Sequence, residues 1–130
     1  MKKIIISLTL MAAAMTISAA DNVITKQNDG TYVVNTTTIA DDVYGFKGPT
    51  PVKIYIKTGK VVKVEALPNK ETPRYFKKVT ESGMLDKWNG KKVAKAKTLK
   101  VDGATGATYS SHAIKENVVR GLNYYEKNKK

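Results

Sequence analysis

Residues 101–111 read Val-Asp-Gly-Ala-Thr-Gly-Ala-Thr-Tyr-Ser-Ser, which places four aliphatic hydroxyls, two glycines and one carboxylate in a single short stretch. The chain then continues without a break into a segment where Ile114, Val118 and Leu122 recur every four residues, with Ala113 and Tyr125 beside them. That spacing gives a helix one apolar face. A helix start carries unpaired N–H groups and the positive end of the helix dipole, both of which favour an anion. Thr105, Thr108, Ser110 and Ser111 gather around this start, and Gly103 and Gly106 allow close backbone approach. The chemistry this suits is the holding of a phosphate.

Generic phosphate loops do not account for the stretch. No Lys-Ser or Lys-Thr pair follows the second glycine, and the glycine spacing is not that of a dinucleotide fingerprint. The run Asp102-x-x-Thr105-Gly106-Ala107-Thr108 resembles the flavinylation motif of the FMN-binding domain family, Asp-x-x-Ser/Thr-Gly-Ala-Thr, at every constrained position. The family includes a flavin-bearing component of the sodium-translocating NADH:quinone oxidoreductase, a similar component of Rnf-type complexes and small secreted flavoproteins. The resemblance implies FMN held covalently as a phosphoester on Thr108, with Asp102, Thr105, Gly106, Ala107, Tyr109 and Ser110 around it. It also implies a maturation partner, a Mg²⁺-dependent flavin transferase that uses FAD as donor and recognises the aspartate. Threonine is a poor nucleophile at neutral pH, so attachment needs such an enzyme or a strong local base. His112 stands one helical turn beyond Thr108, within reach of a phosphate there.

Two further segments match the family in order. Gly45-Phe46-Lys47-Gly48-Pro49 sets glycines on both sides of an aromatic, and the resemblance places such a segment close to the flavin. Read from the residues alone, it is a turn that buries an aromatic. Glu71-Thr72-Pro73 is the second, where the resemblance makes Glu71 and Thr72 cofactor-binding residues. Relatives usually continue with glycine, and this chain has Arg74. Thr72 is also placed to cap a helix opening at Pro73.

These positions need a scaffold. Val52, Ile54 and Ile56 alternate with Lys53, Tyr55 and Lys57, and Val62, Val64 and Ala66 alternate with Lys63 and Glu65. With Thr58-Gly59 between them, the two runs predict an antiparallel hairpin with one buried face. Residues 29–34 predict an earlier strand, and the alternation of residues 97–101 predicts a short strand leading into Asp102. A helix from Pro73 would turn Tyr75, Phe76 and Val79 inward and end near Ser82-Gly83. Trp88, beside Leu85, reads as core. The expected fold is α+β: one small domain with an antiparallel sheet and a C-terminal helix after the flavin-attachment loop.

Residues 1–20 read as a signal peptide: Lys2 and Lys3, a mostly apolar run, then Ser18-Ala19-Ala20 at a cleavage site. The expected organisation is a signal at 1–20, an FMN-binding domain at 21–125 and a frayed basic tail at 126–130. Location would be exported, periplasmic or extracellular, with membrane association if the signal is retained as an anchor. The chain has no cysteine, which removes disulfides, thiol chemistry and lipoprotein anchoring. Its formal charge is +12, and loss of two signal lysines leaves 12 − 2 = +10. Such a balance suits an anionic envelope surface or simply a solvated basic exterior, and export argues against nucleic acid. One histidine and no cysteine make a zinc or haem site untenable, and a serine hydrolase triad lacks its geometry. The implied job is electron transfer between a redox donor and acceptor, or within a membrane electron-transport complex, rather than turnover of a dedicated organic substrate. The alternative is a basic exported binding module without flavin, in which the Gly-Ala-Thr-Tyr-Ser run only caps a helix.

Overall fold

The computed structural model describes residues 23–129, so the expected signal at 1–20 lies outside the described residues. Four strands, β1 Ile24–Lys26, β2 Tyr32–Asn35, β3 Val52–Lys57 and β4 Lys60–Ala66, form one antiparallel sheet in that order. The helices that follow are α1 Pro73–Glu81, α2 Val93–Ala96 and α3 Thr108–Asn128, with a 3-10 turn at Met84–Asp86. The α+β architecture expected from the sequence is the one observed.

The hairpin turns at Thr58 and Gly59, whose φ values of 49° and 77° suit the two-residue turn that matches strand twist. On β3 the alternation holds, with Val52, Ile54 and Ile56 buried. On β4 it slips. Val62, expected inside, is 51% exposed, and Val61 is buried in its place. The cause is a bulge: Tyr55 pairs with Lys63 and Ile56 with Val61, which leaves Val62 as the extra residue. The outer edge of β4 is covered there by residues 90–93, where Gly90 N–H donates to Val61 O at 2.7 Å and Val61 N–H to Lys91 O at 2.9 Å.

The strand expected at 97–101 does not form. Residues 93–96 are helical, Thr98 and Leu99 close turns back onto Lys95 and Ala96, and the next residues are irregular. Their alternation reports one-sided burial of Val101 and, in part, Leu99, with the β4 edge already occupied.

α3 lies across β2 and β3 and closes the core with Ile114, Val118 and Leu122, each fully buried. Gly121 permits this approach, since a Cβ there would lie 2.5 Å from Ile54 Cδ1 and 3.0 Å from Thr36 Cγ2. Trp88 is buried as expected, and Tyr32 meets Tyr125 edge to face at 5.3 Å. The helix runs through Asn128, beyond the expected start of a frayed tail, because Lys97 pairs with Glu126 at 2.5 Å and Lys129 N–H donates to Tyr125 O.

One polar pair sits inside this interface. Thr36 Oγ1 donates to Asn117 Oδ1 at 2.5 Å and accepts Val52 N–H at 2.9 Å, while Asn117 Nδ2 donates to Ala113 O. Asn117→Ala would open a cavity and remove the partner of a buried hydroxyl. The expected loss is about 2–3 kcal/mol, read as a lower urea midpoint at unchanged m.

Candidate functional site

The hydroxyl-rich loop is held on α3 by its own side chains. Ser111 Oγ accepts Ala104 N–H at 2.9 Å, and Lys115 Nζ donates to Val101 O at 3.1 Å. A Cβ on Gly103 would lie 2.9 Å from Ser111 Cβ, so glycine lets the loop lie flat against the helix. Gly106 has φ 84°, and a Cβ there would meet Lys78 Nζ at 2.9 Å. No side chain caps the start of α3, which leaves its first-turn N–H groups available to an anion.

Of the four hydroxyls gathered here, two are engaged inside the protein. Ser111 is buried under the loop, and Ser110 donates to Glu71 Oε1. Thr105 and Thr108 are exposed.

Glu71 is the polar centre of the site. Its carboxylate is buried, yet besides Ser110 it accepts Phe46 N–H at 2.8 Å and Lys47 N–H at 2.6 Å. Burial alone would raise its pKa. Hydrogen bonds from Ser110 and from the Phe46 and Lys47 amides, with the Gly48 amide dipole adding to them, outweigh burial and hold it below the ordinary carboxylate value. Gly45 is required behind it, because a Cβ would collide with Glu71 Oε1 and lie 3.2 Å from Thr50 Cγ2. Gly45 N–H also donates to Gly48 O at 2.8 Å, closing a tight loop that projects Phe46 outward.

Two clefts meet at Thr108. The first, of ≈ 270 Å³, is lined by Phe46, Tyr75 and Tyr109 on its aromatic sides and by Thr72, Gly106, Thr108 and Ser110 among its smaller residues, with Glu71 also at its wall. Phe46 and Tyr109 are 68% and 65% exposed and stand 5.8 Å apart at 38°, so large apolar rings border an open space. The second, of ≈ 250 Å³, contains Thr105, Thr108, His112 and Lys115. Cations approach the first cleft from α1: Arg74 and Lys78 both lie over the Tyr75 ring, at 5.1 and 5.8 Å. Among the described residues no cluster of His, Cys, Asp or Glu could hold a metal ion.

The sequence candidates therefore separate. Phe46, Glu71, Thr72, Gly106, Ala107, Thr108, Tyr109 and Ser110 come together around the first cleft, while Thr105 lies in the second. Gly45 and Gly48 shape the loop behind Phe46. Asp102 is exposed and lines neither cleft. Thr72 precedes α1 as expected, but its side chain makes no capping bond; its carbonyl accepts Tyr75 and Phe76 N–H. Phe46, which the residues alone suggested would be buried by its turn, is exposed. Tyr75 was expected inside and is 41% exposed. Phe76 and Val79 face the core, and Tyr75, one turn before Val79, lies at the edge of that stripe, where its ring borders the first cleft instead.

A family model described as FMN-binding domain matches residues 45–123. No curated protein and no solved structure matches the chain.

Proposed function

The chain belongs to the FMN-binding domain family, whose model spans more than half of it, and from that premise we propose that it is an exported electron carrier with FMN attached covalently to Thr108. Flavin binding and an electron-transfer role are the family's. The attachment residue, the export and the partners are the proposal. The observation that supports it best is the placement of Thr108: an exposed hydroxyl at the uncapped start of a long helix, bordering an aromatic cleft on one side and a cleft with His112 and Lys115 on the other.

The residues present fit the cofactor. Phe46, Tyr75 and Tyr109 offer apolar surface for a flat ring, and the first-turn amides of α3 offer donors to a phosphate. In maturation a transferase would bring FAD. The Thr108 Oγ–P bond forms, the phosphoanhydride P–O bond breaks, AMP leaves, and the hydroxyl proton passes to a base of the transferase. Asp102, exposed and outside both clefts, is free to serve as a recognition element for that enzyme. Bound here, FMN supplies reversible acceptance of one or two electrons at its ring.

What the chain contributes is exposure and charge. The open cleft, bordered by the exposed Phe46 and Tyr109, would leave a bound flavin accessible to a donor and an acceptor protein. Arg74 and Lys78 set positive charge near Tyr75, while the Glu71 charge is held by donors. Positive charge favours a reduced, anionic flavin. Lys78→Gln is therefore expected to lower the midpoint potential by on the order of 30 mV, about a tenfold change for a two-electron couple. A redox titration with unchanged or raised potential would contradict this.

The proposal is tested by producing the chain with its signal and a flavin transferase, then separating it under denaturing conditions. Yellow absorbance and flavin fluorescence should stay with the polypeptide. Flavin released by denaturation would leave a noncovalent carrier, and a colourless protein would favour a basic binding module instead.

A further inference from the structure

Glu71 lies at the wall of the cleft, yet both of its oxygens are already engaged within the protein. Oε1 accepts from Phe46 N–H and Ser110 Oγ–H, and Oε2 accepts from Lys47 N–H. Its own N–H is fixed by Asn69 Oδ1 at 3.0 Å, so the carboxylate is held from both ends. We propose that Glu71 is a positioning residue, an acceptor latch that fastens the loop of residues 45–48 to the first turn of α3 and so fixes Phe46 against Tyr109 at the mouth of the cleft.

The chemistry requires a carboxylate. Three donors converge on two oxygens from two elements that are far apart in sequence, 25 residues from Phe46 and 39 from Ser110. A carboxylate accepts at both oxygens; an amide of the same shape has one acceptor and one donor. In Glu71→Gln the NH₂ must face either Lys47 N–H or the Phe46 and Ser110 donors, and at least one part-buried backbone amide loses its partner. Gly45 belongs to the same device, since any Cβ there would occupy the Oε1 position. The latch is independent of the cofactor; only its consequence for the flavin rests on the reading of the cleft given above.

Protonation would act like the amide. The ionisable side chains on the surrounding elements are Lys47 on the loop, Lys70 beside Gly48, Arg74 and Lys78 on α1, and Tyr109 on α3. None of these is a cause of the depressed Glu71 pKa, which the hydrogen bonds produce against burial. A depressed carboxylate stabilises the fold above its unfolded value, and that contribution is lost as pH falls through the folded value. The loop should therefore release only as pH falls beneath the ordinary carboxylate range, through the lowered folded value.

Amide hydrogen exchange of the flavin-free protein tests the latch. Glu71→Gln is expected to speed exchange at least tenfold at Phe46 or Lys47, with β3 and α3 amides still protected. Gly45→Ala, which leaves the charge in place, should do the same, and the double variant should add little to either. Wild-type protection at both amides in either variant would overturn the proposal. Acidification should release Phe46 and Lys47 in the wild type but produce no further release in Glu71→Gln, and matching pH profiles would also overturn it.

The consequence is read in a Thr108→Ala background by titrating FMN and following its fluorescence. The added Glu71→Gln change should weaken binding at least tenfold, and unchanged affinity would reject the positioning role. Failure of FMN to bind the Thr108→Ala parent would count against the flavin reading of the cleft and leave the exchange result to decide the latch.

Discussion

Replacing Thr108 by alanine is expected to leave a folded chain that carries no covalent flavin. Thr108 is exposed at the first position of α3, and no side-chain cap depends on it. Alanine is the best helix former, and surface changes of this kind shift stability by no more than about 0.5 kcal/mol. Attachment should fall from near stoichiometric to none, because the neighbouring hydroxyls do not offer substitutes. Ser110 donates to Glu71, Ser111 holds Ala104 N–H, and Thr105 borders only the second cleft. In-gel flavin fluorescence beside a thermal melt checks both halves of this expectation. Retained fluorescence would move the attachment elsewhere, and a large drop in melting temperature would make the loss of flavin a folding effect.

The second large effect concerns the scaffold. Trp88 belongs to the core cluster that includes Val61, Met84 and Val93 and is 2% exposed. Trp88→Ala removes most of a large buried side chain and leaves a cavity, at a cost of about 3–5 kcal/mol. Small domains are stable by only about 5–15 kcal/mol in total. A fall of about 15–30 °C in melting temperature is expected for a domain of this size. A loss below about 1 kcal/mol in denaturant unfolding would mean that residues 84–93 are not packed as described.

The sequence made some of this legible and hid the rest for identifiable reasons. The hairpin could be read because Val52, Ile54 and Ile56 alternate on a strand with one buried face. The bulge that exposes Val62 could not, since it is a shift in how β4 registers against β3 and leaves no mark in the local alternation. Residues 97–101 alternate because Leu99 and Val101 pack toward the core, while residues 90–93 already occupy the edge of β4. α3 was visible through Ile114, Val118 and Leu122, whose spacing records a single packed face.

At the candidate site, composition identified the stretch but not the division of labour within it. Ser110 and Ser111 look alike in sequence, and only the fold shows one turned to Glu71 and the other to the loop backbone. Glu71 itself was recognised through its place beside Thr72 and Pro73. Its bonds to Phe46 and Lys47 depend on a contact across 24 or 25 residues, which no local pattern encodes. Arg74, a departure from the usual glycine, stacks over Tyr75 at the rim.

The most direct test of the central claim is tryptic peptide mass spectrometry of the chain isolated from its native host. Cleavage after Lys100 and Lys115 releases residues 101–115, which include Thr105, Thr108, Ser110 and Ser111. The account predicts that this peptide is heavier by FMN minus water and that fragmentation places the adduct on Thr108. An unmodified peptide from a host that flavinylates another protein, or an adduct on one of the other three hydroxyls, would contradict it.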